Sequence, residues 1–399
     1  VGSRLSTRRI CGLVGTLAVI GSASVNRFAW AADDVDAWLE AIRAVQPLGG
    51  NHEAAMAAGR HLRLASAAAV PRLLAGMDGA NPLAQNWLRG IIQSVVQRAE
   101  SAGQPIPLDE LEKFLQDTSH APRARRFAFD LLAARDATAP DRLIPGWLDD
   151  PSLELRRDAV SAEAGRARGL LDGGQSAEGV RALRRAFQAA RDVDQVKAIA
   201  ESLRNAKEKA DIARHMGFLM DWYLIGPFDN RDKRGFDVAY PPESEFDAAK
   251  TYPGKEGVET HWIRHATSDD FGVVDLNTAL AKHKGAIAYA FTEFLSNEDR
   301  PVELRLGCIN GNKIWLNGQL LTSNHVYHAS TFVDQYTGHG KLLKGRNTIL
   351  LKIAQNEQTE QWAQNWKFQL RACDSIGTAV LSQDRASEQA ASTPRLPIR

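Results

Sequence analysis

The hydrophobic pattern changes period once, at Asp221, and that change limits the fold more than any other feature of the chain. Apolar residues recur at helical spacing from about Asp33 to His215, as in Trp87, Ile91 and Val95 beside Leu88, Ile92 and Val96. The same spacing links Leu111, Phe114 and Leu115, then Phe127, Leu131 and Leu132, and later Val180, Leu183 and Phe187, then Val196, Ile199 and Leu203. After Asp221 apolar and polar residues alternate: Val302, Leu304, Leu306 and Cys308; Ile349, Leu351 and Ile353; Trp366, Phe368 and Leu370. A period of 3.6 buries one face of a helix, and a period of two buries one face of a strand. A helical part must therefore precede a β part, and 399 residues is enough for two domains.

Breaks between the helices are short. Pro71, Pro82, Pro105, Pro107, Pro122, Pro140, Pro151 and the Gly173-Gly174 pair punctuate the region. Short connections make antiparallel neighbours, so the expectation is an α-solenoid of helical hairpins, with an irregular bundle as the alternative. In the second half, Asn317-Gly318 between Ile314-Trp315-Leu316 and Leu320-Leu321 marks a two-residue hairpin, and Asn310-Gly311 a turn before it. Closely spaced short strands predict an antiparallel β-sandwich or jelly roll.

The first 32 residues read as a signal peptide. Arg4, Arg8 and Arg9 precede the uncharged stretch 10–25, and Ala29-Trp30-Ala31 offers small residues around a cleavage point, although Asn26 and Arg27 interrupt the pattern. The apolar run is shorter than the ~20 residues of a spanning helix, so cleavage is expected rather than a retained anchor, and with it a periplasmic or extracellular location. Residues 378–399 lack periodicity and are expected to be a disordered tail.

A net charge of +1 removes the electrostatic argument for nucleic acid. Arg123, Arg125 and Arg126 read as a solvated helix face. Cys11, Cys308 and Cys373 match neither a zinc nor a redox spacing. Cys308 and Cys373 fall in apolar strands, so two buried thiols are expected, though export would permit a bridge. His52-Glu53 lacks the second histidine of a zinc-protease motif, because position 56 is Met56. His325 and His328 are three apart with no further ligand near them, so no metal is assigned. Phosphate-loop and serine-elbow motifs are absent, and no two carboxylates are pinned as a catalytic pair.

Two stretches resemble known families. Trp147-Leu148-Asp149-Asp150-Pro151-Ser152-Leu153-Glu154-Leu155-Arg156-Arg157-Asp158-Ala159-Val160 resembles the turn of a HEAT repeat, with Asp150 expected to cap the helix that follows. From about Asp221 to Asp374 the chain resembles the galactose-binding-domain-like β-sandwich of exported bacterial proteins. The resemblance rests on Trp222-Tyr223-Leu224-Ile225-Gly226-Pro227-Phe228, on Tyr240-Pro241-Pro242-Glu243 and on Ala288-Tyr289-Ala290-Phe291-Thr292. It also rests on Lys313-Ile314-Trp315-Leu316-Asn317-Gly318 and Lys344-Gly345-Arg346-Asn347-Thr348-Ile349-Leu350-Leu351-Lys352. The first resemblance implies HEAT-like helical repeats at 33–220, and the second a sandwich at 221–377. Where the family carries an aspartate pair, this chain has Cys308-Ile309-Asn310-Gly311, which leaves a structural calcium unsupported. Asn310 is expected only to supply a left-handed turn residue.

Sugar recognition needs flat aromatic faces beside amides and carboxylates. The loop 355–365 holds Asn356, Glu357, Glu360, Gln361, Trp362 and Asn365; a second group holds Asn324, His325, Tyr327, His328 and Tyr336. The ligand contacts expected from these are Trp362, Asn356, Glu360, Asn365, Asn324, His325 and Tyr327, with Trp362 as the stacking platform. Trp222, Trp315 and Trp366 are expected in the core. The chain is therefore expected to be a non-catalytic binding protein for a glycan or polysaccharide, with the helical repeats offered to a protein partner. Alternatives are a purely structural interaction module and a hydrolase with its site at the junction, residues 222–234.

Overall fold

The computed structural model describes residues 32–385. The expected signal peptide, with Cys11, and the tail from residue 386 lie outside the described residues. The chain divides into two units between Ile106 and Pro107, inside the helical region.

The first unit contains α1 (Ala32–Arg43), α2 (His52–Leu62), α3 (Val70–Ala75) and α4 (Pro82–Ser101). Asn81 starts α4 by accepting the Ala84 amide at 3.0 Å, and Pro82 occupies the first turn, where its missing N–H costs nothing. Leu88, Ile91, Ile92, Val95 and Val96 of α4 are all buried, so the two apolar stripes together form its inner face.

In the second unit, α5 (Leu108–Gln116), α6 (Pro122–Ala133), α7 (Ala139–Leu143), α8 (Leu153–Asp172), α9 (Ser176–Ala189), α10 (Val193–Asn205) and α11 (Ile212–Met216) precede the strands. Arg125 is not on a solvated face. It is buried on α6 and forms a two-pronged ion pair with buried Asp150, at 2.8 and 2.7 Å. That commitment moves the helix cap: Ser152, not Asp150, precedes α8 and accepts the Leu155 amide, while Asp150 accepts the Ser152 amide at 2.7 Å. Arg126 is half-buried and pairs with Asp130 and Asp158.

Next come β1 (Asp221–Asp229), β2 (Thr251–Pro253), β3 (Glu259–His261), β4 (Ile263–Ala266), β5 (Val274–Asp275) and α12 (Leu276–Ala279). The remaining strands are β6 (Ala286–Ser296), β7 (Arg300–Cys308), β8 (Gly311–Leu316), β9 (Gln319–Asn324), β10 (Tyr336–Leu342), β11 (Gly345–Gln355) and β12 (Lys367–Cys373). Among the described residues every pairing is antiparallel, in a six-stranded sheet β4-β1-β6-β11-β8-β9, a four-stranded sheet β10-β7-β12-β5 and a two-stranded sheet β2-β3. The two sheets share one apolar core, with Leu224, Ala288, Ala290, Ile314 and Leu351 from the first and Leu304, Leu306, Phe368 and Leu370 from the second. Asn317 and Gly318 both take positive φ, 51° and 77°, as the β8–β9 hairpin requires.

The six-stranded sheet is covered on its other face as well. Phe228, Phe236, Tyr252, Trp262, Ile287, Tyr289 and Phe291 form a second apolar cluster beneath the long β1–β4 connection. This is why β6 is buried on both faces along Ala286 to Phe291 instead of alternating.

Helices and sheets are tied together by backbone. Gly217 ends α11 at φ 82°, and its carbonyl accepts the Ala372 amide of β12 at 3.0 Å. Leu219 N–H then donates to Leu370 O at 2.9 Å. The expected edge at 220/221 is thus a change of secondary structure within one unit. The expected start of the tail is corrected too: Val380 N–H donates to Ala372 O at 3.0 Å, and Ser382 Oγ accepts the Leu295 amide at 2.9 Å. Residues 378–385 are docked on the sandwich because isolated backbone and side-chain hydrogen bonds, invisible to periodicity, hold them there. Cys308 and Cys373 are free and buried, and burial pushes their thiols up to about 12 and about 11.

Candidate functional site

Loops converge at one end of the sandwich, and several of the expected ligand residues meet there. Trp362 lies on a short turn after β11 and is 57% exposed, with the His328 ring edge-on at 4.9 Å. His328 Nε2 hydrogen-bonds Asn356 Oδ1 at 2.8 Å. Tyr327 is half-buried, and its hydroxyl accepts from Asn230 Nδ2 at 3.1 Å. His325 stacks on Phe236, with centroids 4.1 Å apart and rings nearly parallel, and Lys313 covers the same phenyl ring at 4.5 Å.

Other expected contacts serve the scaffold. Asn356 is buried and donates to Gln358 Oε1 at 2.7 Å, which removes it from any surface. Asn324 is half-buried and donates to Asn312 Oδ1 at 2.9 Å. Asn365 and Glu360 are exposed, and their backbone carbonyls hold the loop, by accepting from Asn310 Nδ2 at 3.2 Å and from Gln364 Nε2 at 3.1 Å. Tyr336 packs against the inter-sheet core, away from the others. Asn310 does not take a left-handed conformation. Its amide is fully buried and donates to Gln355 Oε1 at 2.8 Å, so its side chain, not its backbone freedom, shapes that turn.

A cleft that the sequence pattern did not point to lies on the outer face of the six-stranded sheet. It encloses about 300 Å³. Phe246, Phe291, Leu350 and Trp315 supply its apolar surface, and Glu243, Glu245, Ser244, Glu293 and Thr348 its polar edge. Trp315 is only half-buried, whereas its neighbours Ile314 and Leu316 are core residues. Successive side chains of a strand leave on opposite faces, so putting Ile314 and Leu316 inside puts Trp315 outside. The expectation that Trp315 is a core residue is thereby corrected; Trp222 and Trp366 are in the core.

The floor of this cleft is preorganised. Phe246 stacks on Phe291 with centroids 3.8 Å apart and meets Trp262 edge-on. Glu243 accepts from Lys352 Nζ at 2.8 Å and from the Tyr289 hydroxyl. The Lys352 side chain is fully buried, with Val238 O as its other acceptor at 2.7 Å. Burial holds the Lys352 amine below the ordinary lysine range against the pull of Glu243, and burial with the adjacent carboxylate holds the Tyr289 phenol well above its own. Glu245 pairs with Lys250 at 2.8 Å and Glu293 with Arg346 at 2.7 Å. Each acid of the cleft therefore has a basic partner, and the cleft as a whole is electrically neutral.

Residues 222–234, the expected place of a hydrolase site, form β1 and the turn after it. Trp222 Nε1 donates to Leu219 O at 3.1 Å, and Asp229 is paired with Arg231 at 3.0 Å, which holds its carboxyl below the usual range. Among the described residues no group of three or more His, Cys, Asp or Glu is placed to hold a metal ion. Among them, no helix is long and apolar enough to cross a membrane.

No protein-family model and no curated protein matches the chain. Solved structures similar to part of it include a β-glucosidase from Kluyveromyces marxianus in complex with glucose, at 14% identity and a TM-score of 0.24, covering 42% of this chain and 18% of that one. A GH31 α-xylosidase from Xanthomonas citri is similar at 14% identity and a TM-score of 0.18, over 42% of this chain and 16% of that one. A cycloisomaltooligosaccharide glucanotransferase from Paenibacillus, complexed with cycloisomaltoheptaose, is 12% identical at a TM-score of 0.16, over 45% and 22%. This chain spans less than a quarter of the length of each.

Proposed function

We propose that the chain is an exported, non-catalytic binding protein whose sandwich, a galactose-binding-like jelly roll, holds a neutral glycan, while HEAT-like helices serve as a scaffold for a protein partner. The observation that carries the reading is the neutral cleft of about 300 Å³ on the six-stranded sheet. Trp315 and Phe246 supply ring faces for the apolar C–H face of a pyranose. Paired carboxylates remain acceptors for hydroxyl groups, and Ser244 and Thr348 add donors. A cationic ligand would be favoured by unpaired acids, and here each acid is already matched. A volume near the lower end of small-ligand pockets suits one or two sugar rings.

The test is a glycan and polysaccharide array probed with the full mature chain, its Trp315→Ala variant and its Trp362→Ala variant. Binding lost in the first variant and kept in the second supports the reading. Loss only with Trp362→Ala moves the site to the loop end. A folded wild-type chain that binds no glycan refutes the reading and leaves the interaction module.

A further inference from the structure

A second cleft, of about 400 Å³, is lined by Leu148, Asp149, Arg156 of α8, Arg185 and Gln188 of α9, Arg191 and Thr378. We infer that it is an oxyanion-binding site, in which Arg156 and Arg191 receive a carboxylate, sulfate or phosphate group.

The helical region shows what its inner arginines ordinarily do. Arg125-Arg126-Phe127-Ala128 and Arg156-Arg157-Asp158-Ala159 repeat the same frame on α6 and α8. Arg126 pairs with Asp158 on the next long helix, and Arg157 with Asp192 and Asp194 beside and within α10. Arg125 is matched by Asp150, from the turn before α8. Arg156 stands where Arg125 stands in the frame, but the turn before α10 offers it Arg191.

Both guanidinium groups are consequently left without a carboxylate. Arg156 is 6% exposed, and it donates only to backbone carbonyls, Nε to Asp150 O at 2.7 Å and Nη2 to Asp149 O at 2.8 Å. Arg191 donates through Nη1 to Gln188 O and Ala190 O, both at 2.8 Å, and its buried Nε has no hydrogen-bond partner. Among the described residues, neither forms an ion pair within 4.0 Å. Asp374 is near but spends Oδ1 on the amides of Ile376 and Thr378, and Asp149 stands exposed at the rim. Arg185 shares the single carboxylate of Glu163 with Arg166, so that trio keeps one positive charge. Burial, then repulsion from Arg156 and, more weakly, Arg371, outweighs the pull of Asp374 and holds the Arg191 guanidinium below its ordinary range. One buried and one half-buried cation facing the same cleft are a costly arrangement that a forked oxyanion relieves.

The inference does not depend on the glycan cleft. The oxyanion is either a free inorganic ion or the acidic group of a polymer such as a polyuronate, and the experiment separates them. The full mature chain is titrated calorimetrically, at constant ionic strength, with sodium phosphate, sodium sulfate and a galacturonate oligomer. Saturable binding of at least one is expected, about tenfold weaker in Arg191→Gln and unchanged in Arg168→Gln, an exposed arginine on the same helix as Arg156. Tighter binding of the oligomer assigns the site to a polymer, and tighter binding of phosphate or sulfate assigns it to the free ion. Absence of saturable binding to all three by the folded chain overturns the inference. So does binding that survives both Arg191→Gln and Arg156→Gln.

Discussion

Glu243→Gln isolates what the half-buried acid contributes to the sheet-face cleft. In the native chain its carboxylate accepts from Lys352 Nζ and the Tyr289 hydroxyl, and Lys352 has only Val238 O besides. Glutamine keeps a neutral acceptor but leaves a fully buried ammonium without a counter-charge. Breaking a buried pair by removing one partner costs about 3–5 kcal/mol, and the retained acceptor places this variant near about 3 kcal/mol. The loss should depend on pH in one direction. The folded-state pKa of Lys352 is already depressed. Between that value and the unfolded lysine value of about 10.4, the unfolded chain binds more protons, so stability rises with pH in this window. Removing Glu243 takes away the principal group that sustains the charge, so the window widens downward and the penalty shrinks from pH 7 to pH 9. Urea unfolding followed by tryptophan fluorescence at both pH values measures this. A loss under about 0.5 kcal/mol at pH 7, or one that grows at pH 9, would refute the reasoning.

Two further perturbations test the frame around the sites. Gly217→Ala places a Cβ 2.4 Å from Ala372 O at a φ of 82°, so it should destabilise the chain by about 2–4 kcal/mol in the same unfolding assay, whereas Gly318→Ala, with open space around it, should cost less. Cys308 and Cys373, buried and held well above the ordinary thiol range, should resist iodoacetamide at pH 8 in the native chain and react fully once it is unfolded, as read by mass spectrometry.

The architecture was legible where local pattern decides it. The change of period at Asp221 locates the first strand, and Asn317-Gly318 forms the hairpin because both residues tolerate positive φ. What depends on distant partners was not legible. Alternation shows that Trp315 opposes Ile314 and Leu316, but not which face meets the other sheet; that depends on the long connection that brings Phe246 and Glu243 over β8 and β11. Arg125 reads as a surface residue until Asp150, in a later turn, is folded against it. Asn356 and Asn324 have the chemistry of sugar contacts but spend it on Gln358, His328 and Asn312. An unbroken apolar stretch at 286–291 was the available hint that the six-stranded sheet is covered on both faces, and so that its outer face carries structure of its own.

The most direct test of the central claim is a calorimetric titration of the full chain with whichever oligosaccharide the array selects, repeated for Trp315→Ala, Trp315→Phe and Trp362→Ala. A glycan seated on the sheet face predicts about a tenfold or greater loss of affinity for Trp315→Ala, a smaller loss for Trp315→Phe, which keeps a ring, and none for Trp362→Ala. Equal affinity in the wild type and in Trp315→Ala would contradict it.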